Sequence, residues 1–143
     1  MNASSNVKDF LIANKIAATA SLFRKYYPDA MVNFSPWDSP HEISKFDTLD
    51  FAFHFPGWSP SIECRAVLLQ LRIDQNDNSD VPKLLGIIMR GMIIPKERWR
   101  VATIGKWEMT GSHLPQPKQI DTLFNVCKEL YKLFSTTSTS NKK

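Results

Sequence analysis

The sequence predicts an α+β fold: a single antiparallel sheet of about five strands, arranged as a meander, with an N-terminal and a C-terminal helix. Three observations lead there. Apolar residues recur at helical spacing near the two ends of the chain, within 5–27 and 118–134. Between them, apolar segments are joined by short, turn-rich links, which favour antiparallel neighbours. Three of those segments, Ile62–Ile73, Lys83–Ile94 and Arg98–Glu108, are apolar on both faces when read as strands.

Residues 5–27 read as a helix with Asn6 as N-cap and Asp9 as a favourable first-turn anion. Ile12, Ile16, Ala20, Phe23 and Tyr27 form its apolar stripe. Phe10, Leu11 and Leu22 fall off that stripe, so burial on more than one side is expected. Pro28-Asp29 ends the helix. Met31–Ser35 is a short strand, and Pro36-Trp37-Asp38-Ser39-Pro40 opens an irregular stretch up to Asp47.

Leu49, Phe51, Phe53 and Phe55 alternate with Asp50, Ala52 and His54, the clearest period-2 pattern in the chain. Pro56-Gly57-Trp58-Ser59-Pro60 reads as a turn. The strand from Ile62 follows, then a polar hairpin loop, Asp74–Asp80, then a strand over Val81–Ile94. Pro95-Lys96-Glu97 links it to Arg98–Glu108. Residues 110–117 form a loop, and Lys118–Phe134 is an amphipathic helix with Ile120, Leu123, Phe124, Cys127, Leu130, Tyr131 and Phe134 on one side. Residues 1–134 thus make one α+β domain, and the Ser/Thr-rich residues 135–143 a disordered tail.

Successive strand residues point to opposite faces, so the three doubly apolar strands can be split. One face reads Val67, Leu69, Leu71, Ile73; Leu85, Ile87, Met89, Ile93; Trp99, Val101, Trp107, and is a core. The other reads Ala66, Leu68, Gln70, Arg72; Gly86, Ile88, Arg90; Arg100, Ala102, Ile104, Lys106. A face that met only water would be polar throughout. This one is apolar in its middle and cationic at its ends, so something covers it. One terminal helix on each face would suffice; the alternatives are a second copy, another protein or a ligand. Gly86 and Gly91 flank Arg90 and point to a bulge or a close backbone approach. The order of a first helix followed by a curled sheet is similar to that of the cystatin-like and nuclear-transport-factor-like folds, a likeness of element order that carries no function.

The 143 residues suit one domain, and their 43% hydrophobic and 22% charged content is ordinary for a globular chain. No apolar run reaches the ~20 residues of a membrane helix. A secretory signal is not expected, because Asn14 and Lys15 interrupt the first apolar stretch. With two isolated cysteines, Cys64 and Cys127, a cytoplasmic protein is expected. The net charge of +4 is segregated into +3 over residues 1–28, −6 over 29–80 and +7 over 81–143. Either the segments neutralise one another within the fold, or a basic side meets an anionic partner.

Catalytic signatures are missing: no phosphate loop, nucleotide-binding glycine pattern, nucleophile elbow or paired acid–base carboxylates. His41-Glu42 lacks the second histidine of a zinc HExxH motif. His54 shares a strand face with Asp50, but at i and i+4 the two lie ~13 Å apart, so it reads as a histidine at a half-wet strand edge. Cys64 and Cys127 read as buried structural thiols. Asp74–Asp80 begins like a calcium loop, yet Ser79 stands at the glycine position and Leu85 at that of the bidentate glutamate. Lys96–Trp107 interleaves Arg98, Arg100 and Lys106 with Trp99 and Trp107, but strand periodicity puts rings and cations on opposite faces.

The reading is therefore a binding protein and not an enzyme. The expected site is Arg72, Arg90, Arg100 and Lys106 around Ile88 and Ile104, with Ala66, Leu68, Gly86 and Ala102 filling the face. No catalytic residue, metal or cofactor is expected. The favoured partner is another protein or a second copy of the chain. A small anionic ligand in the concavity of the sheet is the alternative, and weak single-stranded nucleic-acid binding the third reading.

Overall fold

The computed structural model describes residues 3–33, 47–74 and 82–135. In chain order the elements are α1 (Ala3–Tyr26), β1 (Met31–Asn33), β2 (Asp47–Ser59), β3 (Cys64–Asp74), β4 (Lys83–Ile93), β5 (Lys96–Ala102), β6 (Glu108–Gly111) and α2 (Pro117–Ser135). The strands form one six-stranded antiparallel sheet whose spatial order is the chain order. This is the α+β meander that short links between apolar segments require.

The cross-strand register defines two faces. Phe51, Leu69, Met89, Val101 and Met109 are successive partners on the front, as are Phe53, Val67, Gly91 and Trp99 one step along. Both helices pack there. Phe23 of α1 stacks on Phe53 with ring centroids 4.0 Å apart. Ala20, Phe23 and Tyr27 of α1 and Leu123, Val126, Cys127, Leu130 and Phe134 of α2 join the front-face strand residues in one core. The helices are antiparallel: Lys15 Nζ donates to the Leu133 carbonyl at 2.7 Å, and eleven residues further along α1 the Tyr26 hydroxyl donates to Glu129 and accepts from Asn125 Nδ2. Thr103 ties the sheet to α2: its hydroxyl accepts from the Ile87 amide at 3.0 Å and meets the Tyr131 hydroxyl at 2.7 Å.

Several boundaries differ from the sequence reading. Asn6 lies inside α1, which begins at Ala3, so it is not the cap. β2 runs on through Pro56 to Ser59, with irregular pairing between His54 and Ser59, and the turn falls at 60–63 instead. Pro56 has no N–H to give a ladder, which fits that lapse. Arg98–Glu108 is not one strand. β5 stops at Ala102, and the chain reverses through Gly105 (φ 78°) into β6, a sixth strand within what reads as a loop. Residues 34–46, with His41, the loop residues 75–81 and the tail residues 136–143 lie outside the described residues.

Two bulges shift the inward pattern. One between Arg72 and Ile73 pairs Ile73 with Leu84 and Arg72 with Gly86, so Leu84 enters the core and Leu85 is only half-buried. The other pairs Gly91 with Trp99 but Met92 with Glu97, which leaves Arg98 as the extra residue of β5. Ile93 is half-buried, and Trp107 sits in the β5–β6 turn, so neither belongs to the core face. Both bulges lie beside a glycine that a neighbour requires. A Cβ on Gly91 would stand 2.1 Å from Trp99 Cε2, and one on Gly86 2.4 Å from Ile104 Cγ1.

Gly91→Ala forces the buried indole to move and costs about 1–3 kcal/mol. A melting-temperature fall of roughly 3–10 °C is expected in thermal unfolding. Gly57→Ala, which meets nothing within 4 Å, is the control and leaves the melting temperature within about 2 °C.

Candidate functional site: the reverse face of the sheet

Among the described residues both helices lie on the front, and neither covers the reverse face. Its rows follow the register: Ala52, Leu68, Arg90, Arg100 and Thr110; Asp50, Gln70, Ile88, Ala102 and Glu108; His54, Ala66, Met92 and Glu97. The face has a closed end and an open end. Ala52, Ala66 and Met92 are buried. Leu68, Gln70, Ile88 and Ala102 are half-exposed, and Ile104, lying over Gly86, is 45% exposed.

Arg90 and Arg100 are cross-strand partners in the open part. Glu97 sits between them: Arg90 Nε is 3.6 Å from Glu97 Oε1, and Arg100 donates through Nη2 to Oε1 at 3.0 Å and through Nε to Oε2 at 3.2 Å. These side chains are 38%, 40% and 33% exposed. Pairs this wet are worth about 0–1 kcal/mol. The cluster therefore does little for stability and leaves a net positive charge beside apolar surface.

The structure brings Arg90, Arg100, Ile88 and Ile104 to one face. Arg72 lies on the same face of β3, beside Thr48 and Gly86. Lys106 does not join them: β5 has ended, and Lys106 is exposed in the β5–β6 turn. Glu97 is the residue that alternation misses. In an even strand, residues three apart point to opposite sides; the extra residue Arg98 turns Glu97 onto the side of Arg100. The signal in the sequence was Gly91, the glycine that admits the bulge.

Other candidates fall into structural roles. Cys64 and Cys127 are buried, and burial pushes each thiol up to about 12. A nucleophilic cysteine needs the opposite shift. His54 is exposed on β2, which is an inner strand flanked by β1 and β3 and not an edge. Asp50 accepts from Gln70 Nε2 at 3.0 Å and not from His54. Trp99 is fully buried, its Nε1 donating to the Ile62 carbonyl at 2.6 Å, so its ring is closed to a base. Arg98 donates to the Glu63 carbonyl at 2.8 Å and lies over the Trp58 ring. Among the described residues no group of three or more His, Cys, Asp or Glu is placed to hold a metal, and no helix is long and apolar enough to cross a membrane.

Fold and site together define an α+β meander with one helix-covered and one half-open face. A family described as a domain of unknown function matches residues 4–136, and the chain belongs to that family. No curated protein and no solved structure matches it.

The buried thiols make stability depend on alkali. An acid whose folded pKa is raised stabilises fully below its unfolded pKa and loses that contribution as pH rises, here from 9.0 towards about 12. At pH ~10.5 the loss is about 2 kcal/mol per thiol. The melting temperature is expected to fall between pH ~8 and ~10.5, and to fall less in Cys127→Ala than in the parent. Equal slopes in the two proteins would contradict this assignment.

Proposed function

We propose that this chain is a cytoplasmic, non-enzymatic protein-interaction module. Its reverse sheet face meets another protein surface, and a second copy of the chain is the simplest occupant. The observation that supports the reading is the placement of both helices on the front. It leaves Leu68, Ile88, Ala102 and Ile104 half-exposed around the Arg90–Glu97–Arg100 cluster. Apolar surface around central arginines is the usual chemistry of a protein interface.

A second reading is a small carboxylate or phosphate held by Arg90 and Arg100. It takes support from Arg90 Nε, a buried donor with no hydrogen-bond partner. It ranks behind because Glu97 already draws on both guanidinium groups.

The test has two arms. In sedimentation across a concentration series, self-association gives a mass approaching twice 16.4 kDa, and Arg90→Ala returns it towards the monomer. In cells, a photo-cross-linking residue at Ile104 gives discrete protein adducts that Arg90→Ala depletes, while the same group at Ser21, exposed on α1, gives none. A monomer at every concentration with no adduct from Ile104 rejects the interaction face.

A further inference from the structure

We infer that a second site, on the opposite side of the molecule from the reverse face, binds a ring-bearing phosphate, the unit of a nucleotide or of a single-stranded nucleic acid. It is a groove of about 640 Å³ along the outer ridge of α2, lined by aromatic rings, lysines and polar side chains. Strand periodicity separates rings from cations in the segment around Trp99 and Trp107. The structure removes that separation for one of the two rings, because Trp107 leaves the sheet in the β5–β6 turn and reaches α2.

Lys118, Asp121, Thr122, Asn125 and Lys128 recur at three- and four-residue spacing, so they share one ridge of α2. Tyr26 of α1, which accepts from Asn125 Nδ2, and Trp107, which lies against Phe124, complete the lining. Trp107 rests on Tyr131, with centroids 5.6 Å apart, and on Phe124, yet remains 38% exposed. Lys118 and Lys128 are exposed and form no ion pair among the described residues. Ten residues of helix put them ~15 Å apart.

The chemistry narrows the ligand. Lysines and polar side chains exclude a lipid tail. An acidic peptide would use the lysines but has no need of the rings. A base stacked on Trp107 with phosphate at the lysines uses both, which is how single strands are held. A mononucleotide reaches one lysine, whereas a strand lying along α2 reaches both, so salt dependence separates the two sources. Each phosphate contact on a single strand contributes a slope of about −0.7 in log affinity against log salt. Two contacts give about −1.4, a sevenfold loss between 50 and 200 mM salt.

The experiment titrates the full chain into labelled ten-nucleotide oligo(U) and oligo(dT), with UMP and an oligoglutamate peptide as competitors. Binding at 50 mM salt is expected to weaken about sevenfold at 200 mM. Lys118→Glu and Lys128→Glu, on the exposed ridge where folding is indifferent to them, each weaken it further. Lys118→Ala or Lys128→Ala lowers the slope by about 0.7. Trp107→Ala weakens it at least fivefold, the low end of one base–ring stack, and Trp107→Phe retains most of the affinity. Displacement of the oligonucleotide by UMP at equal nucleotide concentration assigns the site to a free nucleotide; resistance to UMP together with an oligonucleotide slope near −1.4 assigns it to a strand. Arg100→Ala, on the reverse face, changes nothing here, so failure of this site and of the protein-interaction reading are told apart. No binding by any of the three at 50 mM salt overturns the inference. So does equal competition by oligoglutamate, or indifference to both lysine reversals.

Discussion

The indole of Trp99 occupies the space that a side chain at Gly91 would fill, and its Nε1 donates to the Ile62 carbonyl at 2.6 Å. Much of the molecule depends on that placement. It seats the bulge at Arg98, which frees the Arg98 side chain to reach the Glu63 carbonyl. Together Arg98 and Trp99 hold the β2–β3 turn, where Glu63 keeps a left-handed backbone (φ 53°). A non-glycine residue in that region costs on the order of 1 kcal/mol and persists where its surroundings over-determine it. Two hydrogen bonds from the next-but-one strand supply that determination. The same bulge rotates Glu97 between Arg90 and Arg100. One buried ring thus sets a turn on one side of the sheet and a charge cluster on the other.

The front face shows why the reverse face is left over. A six-stranded sheet has two sides to cover, and the described residues form two long helices. A helix on each side would have closed the molecule. Instead α1 and α2 lie side by side, joined by Lys15 to Leu133 and by Tyr26 to Glu129 and Asn125, and their apolar residues enter one core. The core gains by concentration: Phe23, Phe51, Phe53, Leu69, Met89, Trp99 and Leu130 are all closed to solvent. Among the described residues, the reverse side has small residues at its centre, Ala52, Ala66, Gly86 and Ala102, and ionic contacts worth little in water. That asymmetry is a thermodynamic reason to look for function on the side where the fold gains least.

Much of the architecture was legible in the sequence because its signals are local. The Ile120-to-Phe134 stripe and the Leu49-to-Phe55 alternation each need only one periodicity, and α2 and the core face of β2 follow from them. What was not legible was non-local. Thr103 ends β5 yet continues the contact with β4 through its side chain, the amide of Ile87 donating to Oγ1 and the amide of Thr103 to the Ile87 carbonyl. A hydroxyl standing in for the ladder gives no periodic trace, so Arg98–Glu108 reads as one strand. Placing Trp107 and Lys106 on sheet faces was the direct consequence. Of the site residues, Arg90, Arg100 and Ile88 lie on regular stretches where alternation holds. Glu97 was missed because one inserted residue reverses parity for everything on its far side.

The turn that escaped the sequence reading also joins the two surfaces. Thr103 is bonded to both β4 and Tyr131, Ile104 lies over Gly86 on the reverse face, and Trp107 rests on α2 beside the lysines. Gly105 between them takes a positive φ that a branched residue would resist. Three anchors within five residues, Thr103 to the sheet, Ile104 to the reverse face and Trp107 to α2, set one short turn against both surfaces. Thr103 and Trp107 both meet Tyr131, so the placement of Ile104 and of Trp107 rests on the same packing that holds α2 against the sheet.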